Sequence, residues 1–206
     1  MRDTLVNDVR ALAPMSILDV GCGAGDNLAA LHDAGNYELS GVDVSEAALA
    51  LAARRVPDAH LVMLDVTRDR LPETFDLVYS SQVIEHILDD ITALENIAAM
   101  SKRYVYLSTM TGRMRRSEIA IGHVRNYSAV ELARKAEAVG IRPVRVSKWG
   151  FPFYSLFRSA AELTGGRTGD VSSPVGRALC AAIFQLYRLN SSKHGDVLTL
   201  VGEVQA

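Results

Sequence analysis

Ser16-Ile17-Leu18-Asp19-Val20-Gly21-Cys22-Gly23-Ala24-Gly25 is the stretch from which the fold can be read. The apolar run at its start predicts a short strand. Glycines at alternate positions let the backbone turn sharply and bring a ligand against bare amides, where a side chain would collide. Leu28, Ala29, Leu31 and His32 then continue as a helix ending near Gly35. Strand, glycine turn and helix together open a parallel α/β unit. The dinucleotide fingerprint would need its third glycine at position 26, but Asp26 stands there, an anion unsuited to facing a pyrophosphate. A nicotinamide oxidoreductase is therefore the weaker reading of this turn.

Working outward, Leu5, Val9 and Leu12 have helical spacing before Pro14, where a helix must stop for want of an amide donor. On the other side the unit repeats. Strands are expected over 37–42, 59–64, 75–80 and 103–108, with helices over 45–54, capped by Ser45, and 87–100. Ser128 caps a further helix to Val139, Gly140 ends it, and a strand follows over 141–147 with its proline near the start. A last strand is expected over 197–204. Alternation of this kind predicts a doubly wound α/β domain with a mostly parallel seven-stranded sheet.

Residues 148–195 exceed what a minimal sheet needs. They are read as a helical insert, with helices over 154–163 and 175–189 joined by a Gly165–Gly169 turn. In the second helix Arg177, Gln185 and Arg188 share one narrow stripe and apolar residues take most of the rest, so something must cover it. The domain's own core, a lid or dimer surface, and a membrane or lipid-like substrate all remain open. Trp149-Gly150-Phe151-Pro152-Phe153-Tyr154 leads into this insert, an aromatic cluster that suits either core packing or an apolar, ring-bearing ligand.

At 206 residues the chain fits a single domain, and 49% hydrophobic with 22% charged residues excludes a disordered one. A net charge of −2 gives no positive field to draw it onto nucleic acid. Arg113, Arg115 and Arg116 read as a solvated turn or as a guide for a phosphate or carboxylate. Two cysteines, one inside the glycine turn, support neither a disulfide framework nor a paired-cysteine zinc site. The first thirteen residues carry four charges and lack the hydrophobic stretch of a secretion signal. No stretch approaches the ~20 apolar residues of a membrane span. A cytoplasmic protein is expected.

The segment Ile17–Gly25 resembles the first motif of class I S-adenosylmethionine-dependent methyltransferases. By that resemblance the loop of Gly21, Cys22, Gly23 and Gly25 holds the methionine part of the cofactor. Asp19 orients the loop and interacts, often through water, with the cofactor's ammonium group. Asp43, followed by Val44 at the end of the second strand, matches the acidic residue that accepts both ribose hydroxyls. Asp65-Val66 resembles the acidic-apolar pair that receives the adenine amino group and packs on its ring. Phe75-Asp76-Leu77-Val78-Tyr79-Ser80-Ser81 resembles the fourth motif, where the chain near Ser81 meets the methionine end. With His123-Val124-Arg125-Asn126-Tyr127 and the final strand, the resemblance covers all but residues 148–195.

The resemblance implies transfer of a methyl group from S-adenosylmethionine to a small molecule, at oxygen, nitrogen or carbon. Natural-product, quinone or glycan-linked intermediates rank ahead of protein and nucleic acid as acceptors. Gln82-Val83-Ile84-Glu85-His86 carries a Glu-His pair that recurs in these enzymes. His86 or His123 would take a proton from a hydroxyl or carbon acid, with Glu85 orienting the imidazole. Some ubiquinone-pathway and small-RNA methyltransferases bind a metal through a similar stretch. Here Gln82 replaces the first acidic ligand, so no metal is expected, although Glu85, His86 and His123 would suffice for a three-ligand site. A non-catalytic, cofactor-binding regulatory module is the rival class, and it should lack an enclosed acceptor pocket.

Overall fold

In the computed structural model the described residues are 2–163, 181–183, 185–191 and 193–205. The chain begins with α1 (Arg2–Leu12), which buries Leu5 and Val9, and ends it before Pro14 as its spacing predicts. Then follow β1 (Ser16–Val20), α2 (Asp26–Ala34), β2 (Glu38–Asp43), α3 (Glu46–Arg55) and β3 (His60–Met63). After them come β4 (Phe75–Ser81), α4 (Asp90–Ala99), β5 (Ser101–Met110), α5 (Arg116–Ala120), α6 (Ala129–Ala138), β6 (Ile141–Trp149), α7 (Phe153–Leu163) and β7 (Val197–Val204).

The strands form one seven-stranded sheet in the order β3-β2-β1-β4-β5-β7-β6. All pairs from β3 to β5 are parallel, and β7 runs antiparallel to both β5 and β6. Because every β1 residue is buried, alternate side chains feed two cores. Leu18 and Val20 join Ile97, Leu107 and Leu132 on one face, while Ile17 joins Leu5, Leu28 and Leu31 on the other. Strand order reverses at β1, between β2 and β4, which is where a doubly wound sheet opens a crevice at the carboxyl ends of its strands.

Local chemistry explains most element ends. Ser45 accepts the Ala48 amide and Ser128 the Glu131 amide, each satisfying an orphan donor at a helix start. Gly140 takes φ 82° after α6, which a residue with a Cβ rarely does.

The helix expected over 87–100 starts later. Asp89 caps it by accepting the Thr92 amide, and Ile84–His86 form a separate 3-10 turn ahead of it. The turn expected at Arg113, Arg115 and Arg116 is not simply solvated. Arg115 is the N-cap of α5, and its guanidinium pairs with Asp196 at 3.0 Å with only 19% of the side chain exposed. The first insert helix is α7. The second, expected over 175–189, lies partly outside the described residues, with 181–183 and 185–187 helical, and the Gly165–Gly169 turn lies wholly outside them.

Candidate functional site

A cleft of about 370 Å³ opens at the carboxyl ends of β1 to β4, within the roughly 300–1,000 Å³ of small-molecule sites. The glycine turn forms its floor. Gly21 has φ 77°, and a Cβ there would run into the Val83 side chain. Gly25, at φ 78°, would set a Cβ 2.9 Å from that of Ala52 on α3. Glycine at these two positions is therefore a condition for the turn to close against its neighbours.

Two carboxylates stand on the cleft wall. Asp43, at the end of β2, accepts the Gly23 amide at 2.8 Å through Oδ2 and the Ser45 amide at 2.9 Å through Oδ1. It thus clamps the glycine turn to the start of α3 and keeps lone pairs for a ligand, since a carboxylate offers about four acceptor sites. Asp65 accepts the Thr67 hydroxyl at 2.7 Å and amide at 3.0 Å through Oδ1. Those hydrogen bonds hold its carboxyl below the usual carboxylate range. The adjacent Val66 carbonyl accepts a 2.8 Å hydrogen bond from Asn96 of α4, which pins the Asp65-Val66 pair.

Of the residues expected from the sequence, Gly21, Asp43, Val44, Asp65, Val66 and His86 line this cleft. Cys22, Gly23 and Gly25 belong to the turn beneath it, and Ser81 closes β4. Gln82, Val83 and Ile87 line the cleft as well, although the sequence reading gave them no ligand role. Gln82 takes the left-handed φ of 60°, unusual for a residue with a side chain, and donates its amide to Ser108 at 2.7 Å. This bend carries the chain from β4 over the cleft.

Asp19 is placed differently from a simple ammonium acceptor. It is 1% exposed, does not line the cleft and accepts a hydrogen bond from the Tyr79 phenol. Burial raises its pKa to about 7, opposed by that hydrogen bond and reinforced by Asp43.

The structure brings His86 and His123 together, with ring centroids 4.5 Å apart at 75°. His86 is exposed at the cleft, whereas His123 is 7% exposed behind it. Burial and the neighbouring imidazole push the His123 pKa down. Glu85 does not orient His86. Successive residues of a 3-10 turn point about 120° apart. The Glu85 carboxyl runs into the core and accepts the Thr109 hydroxyl at 2.8 Å through Oε2. Its burial raises the pKa to about 7. Among the described residues no group of three His, Cys, Asp or Glu side chains is arranged to hold a metal ion.

Where β6 leads into α7 and α7 meets α5, aromatic and charged side chains form a wall. Trp149 and Tyr154 meet at 5.3 Å with their rings tilted by 40°, and Tyr187 meets Tyr154 edge-on at 5.5 Å. Beside them Arg158 pairs with Glu118 and, at 3.0 Å, with Asp196, which also binds Arg115. Glu162 accepts the Arg116 amide at 2.9 Å and the Ser117 hydroxyl at 2.9 Å, so α7 is tied to the start of α5. Among the described residues no helix is long and apolar enough to cross a membrane.

Comparison with known proteins bears on this site. Residues 17–103 match the family described as a methyltransferase domain. A ubiquinone biosynthesis O-methyltransferase of Bradyrhizobium diazoefficiens is 33% identical over 101 residues, which cover 47% of this chain and 40% of that protein. The chain thus spans about two-fifths of that relative's length. Among solved structures, the [4+2]-cyclase SpnF superposes with a TM-score of 0.71 at 18% identity, covering 99% of this chain and 82% of that one. A magnesium protoporphyrin IX methyltransferase from Synechocystis PCC 6803, with bound SAH, gives a TM-score of 0.64 at 14% identity, covering 99% and 82%. At such identities the likeness is one of fold.

Proposed function

We propose that the chain is a class I S-adenosylmethionine-dependent methyltransferase that methylates a small-molecule acceptor, on the premise that residues 17–103 match a methyltransferase domain. The observation that carries the reading is the meeting of Gly21, Asp43 and Asp65 in one cleft at the point where strand order reverses. Asp43 is the acceptor for the ribose hydroxyls, beside Val44. Asp65 receives the adenine amino group and Val66 packs on the ring. The turn of Gly21, Cys22, Gly23 and Gly25, together with Ser81, holds the methionine end. Bound there, S-adenosylmethionine supplies a sulfonium methyl group for in-line displacement.

The chain's own contribution is alignment, exclusion of water and handling of a proton. His86 fits the proton-accepting role, because it stands at the cleft while His123 is buried behind it. Two imidazoles this close disfavour a second positive charge, so His123 stays neutral as His86 takes the proton. Glu85 acts from the core through Thr109 and does not touch the acceptor. The same reading makes residues 1–206 one cytoplasmic domain whose acceptor is a small molecule ahead of protein, and not a nucleic acid. For the insert over 148–195 it keeps packing on the domain's own core first, with a lid, a homodimer contact and a peripheral lipid contact as the other uses.

The test is twofold, because this fold also serves a cyclase. Calorimetric titration should show binding of S-adenosylmethionine and S-adenosylhomocysteine, and no preference for a nicotinamide nucleotide. Incubation with methyl-labelled cofactor and panels of phenols, carboxylic acids and amines should then yield labelled product. His86→Ala should lower turnover by about 100-fold while cofactor affinity holds. Cofactor binding without methyl transfer to any panel would favour a regulatory module instead.

A further inference from the structure

Tyr79 stands directly opposite Asp19 in the parallel ladder of β1 and β4, wholly buried, and its phenol donates to Asp19 Oδ2. The ring packs with Cys22, Leu28 and Leu31 on the face away from the cleft lining. A hydroxyl in this slot carries a desolvation cost that phenylalanine would avoid, so its presence is explained by what it holds.

Asp19 lies one residue from the Gly21–Gly25 turn, and the phenol is the hydrogen-bond partner found for its carboxyl among the described residues. The other titratable groups that act on this pair are Asp43 from β2 and Cys22 from the turn, whose thiol burial pushes up to about 12. On this face α1 and α2 present Leu5, Val9, Leu28 and Leu31. None of the groups acting on Asp19 is a cation. A buried carboxylate beside a second carboxylate, with no countercharge acting on it among the described residues, is suited to a positively charged ligand.

We propose that Tyr79 is a positioning residue for the cofactor site, holding Asp19 as a charged acceptor under the glycine turn and setting the pH below which a cationic cofactor is lost. The inference rests on the proposed S-adenosylmethionine site. Above neutrality Asp19 is ionised and attracts the cofactor's ammonium and sulfonium charges; on acidification it takes a proton and the attraction goes. The Tyr79 hydrogen bond favours the ionised form, so removing it moves the loss of affinity toward higher pH.

The experiment is calorimetric titration of the full chain, Tyr79→Phe and Asp19→Asn with S-adenosylmethionine and S-adenosylhomocysteine between about pH 6 and pH 9. The cofactor's own amine titrates alike in all three, so differences belong to the protein. The wild type should gain about tenfold in affinity across neutrality, and Tyr79→Phe should show the same rise about one pH unit higher. Asp19→Asn should bind weakly with no such rise. Thermal unfolding checks that each variant folds. A Tyr79→Phe profile that superimposes on the wild type overturns the inference and leaves the cofactor site standing. A folded wild type that binds neither ligand at any pH overturns the proposed function, and the inference with it.

Discussion

At the carboxyl ends of β1 to β3 the cleft is assembled from short-range bonds, whereas at the ends of β5 and β7 the wall is assembled from long-range ones. Asp43 holds amides 2 and 20 positions away, and Asp65 holds an amide and a hydroxyl 2 positions away. Arg115 reaches Asp196 across 81 positions, and Glu162 reaches the Ser117 hydroxyl across 45. The first kind depends on backbone donors that any glycine turn or helix start exposes. The second depends on which side chains happen to meet, and its ions are costly to bury unless all of them are present. One half can therefore be held by few residues, while the other stands or falls as a network.

The largest expected effect tests that network. Arg158→Leu leaves Glu118 and Asp196 short of a countercharge in a buried setting, which should cost about 3–5 kcal/mol in chemical denaturation. Cofactor affinity should change less than about twofold, since the cleft is built separately. If affinity falls with stability, the two regions are one unit and the contrast is broken.

Asp43→Ala is the reciprocal test. It removes both the ribose acceptor and the clamp on Gly23 and Ser45, and should weaken S-adenosylmethionine binding by about 100-fold in calorimetry, close to 3 kcal/mol. Its melting temperature should fall far less than that of Arg158→Leu.

A pH series sharpens the boundary between the regions, where Glu85 sits. Its folded pKa is raised to about 7 from 4.5, so the folded state keeps a proton that the unfolded state has released. Glu85's contribution to stability is then fully present below about pH 4.5, declines as pH rises to about 7 and is level above that, by roughly 3 kcal/mol in all. Glu85→Gln should make the decline shallower in thermal melts taken across that range, leaving the share that Asp19 contributes.

Asn96→Ala should give the smallest effect. It loses the single hydrogen bond to the Val66 carbonyl, and about 1 kcal/mol of cofactor affinity should follow, seen against adenosine as well as the whole cofactor.

The sheet was legible because its signals are local. Apolar runs, Ser45 and Ser128 at helix starts and the glycine turn are each decided within a few residues of backbone. Asp43 and Asp65 were legible for the same reason, as carboxylates at strand ends. The late start of α4 and the 3-10 turn before it were not, because Asp89 won the cap over a continuous helical pattern. Glu85 and His86 are neighbours in sequence, but a turn of three residues sends one into the core and leaves the other at the cleft.

Spacing and backbone geometry were enough to give the succession of strands and helices along the chain, the place of the glycine turn and the carboxylates that follow β2 and β3. Only the tertiary structure decided that Tyr79 meets Asp19, that His123 lies behind His86 and that Arg115 and Arg158 converge on Asp196. Those meetings depend on strand order, register and packing across the sheet, which bring together side chains that no local pattern links.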